Sequence, residues 1–157
     1  MKILKRLLII IITVIVVSPI ILYFSIVITN NCIAYSIENR LKKYELPVDT
    51  VLMDSISIAS KLTGNGNGMQ YMGAILVESE LSKEQLLEYY SNDFNYIEVR
   101  EQKTEVLDFI NTGYNAFSKF EKTGGNRYYS IICWDDERRE FFGHVVSEIL
   151  DFDIRGH

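Results

Sequence analysis

The chain has 157 residues, 48% of them hydrophobic, with 16 Lys and Arg against 21 Asp and Glu and a formal charge of −5. An acidic balance excludes a nucleic-acid binder, which needs a basic surface. A single long apolar run excludes both a purely soluble chain and a multi-span transporter.

That run is Leu7 to Ile28, which holds 22 residues, 18 of them apolar, and no charge. Without it the remaining residues fall to about 42% hydrophobic, an ordinary soluble value. All 21 acidic residues lie beyond it with 13 of the 16 basic ones, so the part after the run carries −8. A hydrocarbon core about 30 Å thick needs roughly 20 apolar residues at about 1.5 Å each. The run therefore reads as a transmembrane helix. Pro19 is tolerable mid-span, and Tyr23 and Phe24 lie toward the distal end, where interfacial aromatics sit. A cleaved signal peptide is the competing reading, but its apolar region is usually about 7–15 residues. Lys2, Lys5 and Arg6 crowd the proximal end, while Arg40, Lys42 and Lys43 lie further from the distal one. The positive-inside rule then places 1–6 in the cytoplasm and residues from 29 onward outside.

Residues 34–44 put Ala34, Ile37, Leu41 and Tyr44 at helical spacing, a short amphipathic helix that continues from the membrane span or docks on the domain and that Leu46-Pro47 terminates. From Thr50 the period becomes two, with Ile56, Ile58 and Leu62 on one face and Ser55, Ser57, Lys61 and Thr63 on the other. A five-residue Gly64-Asn65-Gly66-Asn67-Gly68 turn leads into a strand apolar on both faces, with Met69, Tyr71, Ile75 and Val77 alternating with Met72, Ala74 and Leu76. The pattern predicts a β-hairpin, since Gly and Asn accept the positive φ of a tight reversal. A phosphate loop would instead open a helix, and usually carries a lysine.

Ser82 and Gln85 form a capping-box pair with Leu81 and Leu86 at staple spacing, predicting a helix over 83–92 that buries Leu86, Leu87 and Tyr90. Tyr96 to Lys103 alternates as a strand, and 104–112 is ambiguous. Tyr114–Glu121 and Arg127–Trp134 flank Thr123-Gly124-Gly125-Asn126, a second hairpin signal. In the latter strand Ile131 and Cys133 oppose Ile132 and Trp134. Beyond it, Phe141/Phe142, Val145/Val146 and Ile149/Leu150 recur every four residues, as in a helix.

Candidates for chemistry are few. His144 would share a helix face with Glu140 and Glu148, but no third partner is set by spacing, and His157 is the last residue of the sequence. Asp135, Asp136, Glu137, Asp151 and Asp153 could bridge calcium, although no EF-hand spacing is present. Cys32 and Cys133 read as independent thiols rather than a bridge. Of the aromatics, Tyr89, Tyr90, Tyr128 and Tyr129 could furnish a binding face as well as a core. Catalytic, cofactor-binding and metal residues are therefore not assigned, and no cofactor is expected.

The segment Lys61-Leu62-Thr63-Gly64-Asn65-Gly66-Asn67-Gly68-Met69-Gln70-Tyr71-Met72-Gly73-Ala74, with the following LSKEQLLEYY, the earlier Leu46-Pro47 and the closing Arg155-Gly156-His157, resembles a group of small uncharacterised bacterial membrane-anchored proteins. The resemblance covers about a third of the chain and implies bacterial origin and single-pass topology, with no activity to carry over.

The expected architecture is α+β: a cytoplasmic N-terminus over 1–6, a transmembrane helix over 7–28, a juxtamembrane helix over 29–47, and an extracytoplasmic domain over 48–157. That domain would hold an antiparallel sheet of two β-hairpins plus packed helices. The expected partners are the lipid bilayer, through 7–28, and another membrane or surface protein. The expected role is a non-enzymatic binding or accessory module. The alternatives are a small hydrolase or metal-dependent enzyme built on His144 and nearby acids, and a cytoplasm-facing regulator if the orientation is reversed.

Overall fold

The computed structural model describes residues 2–60, 62, 70–104, 117 and 127–135. Helix α1 (Lys2–Lys43) is followed by strands β1 (Thr50–Ser60) and β2 (Gln70–Ser79), helix α2 (Lys83–Ser91), and strands β3 (Ile97–Glu101) and β4 (Tyr128–Asp135). The four strands form one antiparallel sheet in the order β1-β2-β4-β3. β2 and β3 thus run parallel on either side of β4, joined through α2 in a split β-α-β arrangement. The fold is α+β with a long apolar N-terminal helix.

The apolar run and the amphipathic segment after it belong to one helix of 42 residues. At about 1.5 Å per residue α1 is roughly 63 Å long. Its first part exposes large apolar side chains from Ile3 to Ile28, and the helix continues through Pro19. Two of the hydroxyls there bond back within the helix: Thr13 Oγ1 donates to the Ile9 carbonyl (2.9 Å) and Ser25 Oγ to that of Ile21 (2.7 Å). From Ile26 onward one stripe is buried, namely Ile26, Asn30, Ala34, Ile37, Glu38 and Leu41. That spacing is the helical period of a face laid on another layer. Arg40, Lys42 and Lys43 occupy the last turn, where basic charge complements the helix dipole. The helix ends at Lys43, and Pro47 is itself buried.

Two apolar layers enclose the sheet. On the α1 side Ile37 and Leu41 pack with Tyr71, Ile75 and Val77 of β2, Ile131 and Cys133 of β4, and Leu86 and Tyr90 of α2. On the other side Met72, Ala74 and Leu76 pack with Leu62, Ile132, Tyr128 and Phe117. β2 and β4 are therefore covered on both faces, as their alternation predicts. β1 keeps its two faces apart. Ile56 and Ile58 join the second layer, but the polar face bearing Ser55 is not solvent-facing, because Ser55 bonds to Glu38 of α1.

α2 begins as its sequence dictates. The Gln85 amide donates to Ser82 Oγ (3.2 Å), and the Ser82 amide donates to Gln85 Oε1 (2.8 Å), completing the capping box. Leu86 and Tyr90 are buried, whereas Leu87 is 37% exposed, correcting the expectation that all three are core. A helix turns about 100° per residue, so adjacent leucines cannot share one narrow apolar face.

β4 is paired on both sides over Tyr129–Cys133, by β2 and by β3, so the second predicted hairpin finds no free edge there. Its other arm and turn, the Gly/Asn turn of the first hairpin, residues 105–112 and the helix expected after Asp135 lie outside the described residues.

Candidate functional site

Three features of the described residues bear on function: the crossing of α1 over the sheet, an aromatic knot at its C-terminal end, and the two sheet edges.

At the crossing, small side chains form a row. Ser57 of β1, Gly73 of β2 and Cys133 of β4 are register neighbours. The α1 backbone settles directly on Gly73, where a Cβ would overlap the Glu38 amide and lie 2.8 Å from Glu38 Cα and from the Ile37 carbonyl carbon. Only glycine allows that approach. Beside it the Glu38 carboxylate, 7% exposed as a residue, accepts from Ser55 Oγ (2.6 Å) and pairs with Lys42 Nζ (3.5 Å). One end of the crossing is tied by Tyr71, whose hydroxyl donates to Asn30 Oδ1 (3.0 Å), both residues being buried. Paired polar groups at a buried contact fix its register, because leaving either group unpaired costs about 1–3 kcal/mol.

The aromatic knot joins Tyr44, Tyr89, Tyr90 and Phe94. Tyr44 stacks edge-on against Phe94 (centroids 5.2 Å apart) and Tyr89 (5.7 Å), and the Arg40 guanidinium lies 4.6 Å from the Phe94 centroid. The Tyr44 hydroxyl donates to Asp93 Oδ2, and that of Tyr89 to the Glu45 carbonyl (3.0 Å). The bond to the Asp93 carboxylate pushes the Tyr44 phenol up to about 12, and burial does the same for Tyr90. Both phenols stay protonated at neutral pH, which makes them donors and packing groups rather than nucleophiles. The Tyr90 hydroxyl is buried without a hydrogen-bond partner among the described residues.

The edges differ. β3 is five residues long and carries Glu98, Arg100 and Glu101, with an Arg100–Glu98 ion pair (2.6 Å). Short length and charge blunt an edge against further pairing. β1 is 11 residues long and is interrupted by a register shift between Leu52 and Asp54, where Asp54 Oδ1 accepts from the Ser55 amide (2.9 Å).

The residues singled out for chemistry are distributed as follows. His144, Glu140, Glu148, His157, Asp136, Glu137, Asp151 and Asp153 lie outside the described residues. Among the described residues no group of three His, Cys, Asp or Glu side chains is placed to hold a metal ion. Cys32 is exposed on α1 and Cys133 buried on β4, both as free thiols. Tyr90, Tyr128 and Tyr129 are core residues, with 0%, 6% and 5% exposure, so they do not form an exposed binding face. Among the described residues from 29 onward, Tyr35 (55%) and Tyr96 (47%) are exposed tyrosines. Sequence reasoning missed the Gly73–Glu38 crossing, and its one available signal was a glycine inside an otherwise apolar strand.

Comparison with known protein families, with curated proteins and with solved structures gave no match.

Proposed function

We propose that this chain is a single-pass membrane protein that holds an acidic α+β domain rigidly at the outer face of the cell membrane, where it serves as a non-enzymatic binding or accessory module for another membrane or surface protein. The observation that carries this reading is the continuity of α1. Its 42 residues include an apolar stretch exposed on all sides, and the same helix then lays its C-terminal part on the sheet. A helix apolar all round favours lipid as its surroundings. With no break between anchor and domain, the domain has a defined orientation relative to the bilayer. Such rigidity suits a module that presents a surface to a neighbour in the same membrane.

The orientation rests on Lys2, Lys5 and Arg6 beside the apolar stretch, with the −8 portion on the far side. The reading is tested by site-specific photocrosslinking from Tyr35 and Val48, both exposed, in intact cells. One discrete crosslinked product, enriched with the membrane fraction and lost on substitution of the neighbouring surface, supports an accessory role. A domain that crosslinks to nothing, together with a His144→Ala variant that folds normally but loses metal binding, would favour the enzymatic alternative.

A further inference from the structure

We propose that the end of the sheet at which α1 leaves it, formed by the end of β1, the start of β2 and the end of β4, rests in the headgroup layer of the bilayer that α1 crosses, so that the partner of this surface is the lipid itself. The inference deepens the anchor reading and rests on it.

Helix arithmetic sets the depth. With Leu7 at one hydrocarbon boundary, about 20 residues at about 1.5 Å each bring the chain to the other boundary at Ile26. Ile26 is already 7% exposed, so cover by the domain begins where the hydrocarbon ends. Asn30 stands one helical turn, about 6 Å, further out. A headgroup layer adds roughly 5–8 Å on each side of the core, so the Asn30–Tyr71 hydrogen bond falls inside it. Gln70 opens β2 opposite Ser60, and Tyr71 beside it has Ala59 and Asp135 as register neighbours. No stalk separates sheet from membrane.

Charge follows the same axis. α1 has no charged residue from Leu7 to Ile37, and Glu38 is the first. β1, β2 and β4 are uncharged over 55–60, 70–77 and 128–134; Asp135 closes β4 at this end, and in β3 the first charge is Glu98, opposite Ile132. At the opposite end lie Asp49, Glu78 and Glu80. Moving a charged group out of water toward the low-dielectric interface costs free energy, so an end poor in charge is the one that approaches lipid at least cost. The uncharged strand segments described at this end lower that cost. Trp134, paired with Met72 one residue along from Tyr71, and the exposed Tyr96, whose carbonyl accepts from the Trp134 amide (3.0 Å), place indole and phenol groups where interfacial aromatics gather.

Trp134 is the one tryptophan of the chain and serves as the probe. The full chain is reconstituted in phosphatidylcholine nanodiscs with a spin label either at the headgroup or deep in the acyl chain. The expected result is a loss of Trp134 emission with the headgroup label that exceeds the loss with the deep label. A Tyr96→Trp, Trp134→Phe variant reports the neighbouring strand start and should respond alike. Tyr23→Trp in the Trp134→Phe background reports the anchor. Quenching of that anchor reporter with unchanged Trp134 and Tyr96→Trp emission would overturn the docking while sparing the anchor. If the anchor reporter is also unquenched, the anchor reading fails, and this inference fails with it.

Discussion

Gly73 lies so close under Glu38 that the backbone of α1 occupies the place of a side chain on β2. That contact joins α1 to the centre of the sheet, flanked in register by Ser57 and Cys133. Adding one methyl group there must displace a helix or a strand, since the opposing atoms are backbone and cannot rotate away. Gly73→Ala is expected to destabilise the domain by about 1–3 kcal/mol, the range for overpacking a close contact, and Gly73→Val by more. Urea unfolding of the full chain in detergent micelles measures this. A Gly73→Ala variant within about 0.5 kcal/mol of wild type would show that the helix is free to lift from the sheet.

The pair beside it should couple. Glu38 accepts from Ser55 Oγ at 2.6 Å in a nearly enclosed position, so removing the hydroxyl leaves a carboxylate short of a donor. Ser55→Ala is expected to cost about 1–3 kcal/mol, whereas Ser55→Ala combined with Glu38→Gln should cost less than the sum of the two. The double-mutant cycle reads that interaction directly. Strict additivity would mean that Ser55 does not hold Glu38.

Alkaline pH should loosen the aromatic knot. The Tyr44 phenol is held up to about 12, first by its bond to the Asp93 carboxylate, and Tyr90 is also raised to about 12, by burial. A folded-state value above the ordinary 10 means the native state holds these protons more tightly than the unfolded chain does. The resulting stability is complete below pH 10 and is lost as pH rises from 10 toward 12. Asp93→Asn should bring the Tyr44 deprotonation back toward 10, visible in the tyrosinate absorbance titration compared with a Tyr44→Phe control. An unchanged titration curve in Asp93→Asn would deny the bond to Asp93 its role.

The turn before β1 offers a local test. Asp49 has φ 58°, the left-handed region, and its carbonyl accepts from the Glu80 amide (3.3 Å). A β-branched residue is strained there, so Asp49→Val should destabilise by on the order of 1–2 kcal/mol. Asp49→Gly should be tolerated. Equal stability of the two variants in thermal melts would contradict this backbone assignment.

What could be read from the chain, and what could not, follows from where the determining interactions lie. The capping box at Ser82 and Gln85 is local, with partners three residues apart, and the structure reproduces both of its hydrogen bonds. Strands β2 and β4 were legible because burial on both faces leaves apolar residues at every position. Ser55 and Ser57 were legible as the polar face of β1, but alternation does not say what covers that face, and small residues are what a helix backbone needs in order to settle close. Nothing within β1 announces a helix from before residue 43. The strand order was likewise hidden, because placing β4 between β2 and β3 is a tertiary pairing without a turn signal. Of the two readings of 34–44, continuation from the apolar run and docking on the domain, the helix does both, and Asn30 is polar where it meets Tyr71 rather than where a helix stops. For His144 and its acidic neighbours the chemistry stays as the sequence leaves it, outside the described residues.

The central claim is that α1 crosses the membrane and carries the domain on its outer side. Cys32, exposed on α1 just beyond the apolar stretch, reports this most directly, with the buried Cys133 replaced by serine. Intact cells are treated with a membrane-impermeant thiol reagent, and the chain is then recovered from membranes washed at alkaline pH. The account predicts that Cys32 labels without lysis and that the chain stays with the membrane pellet. Labelling only after lysis, or release of the chain by the alkaline wash, would contradict it.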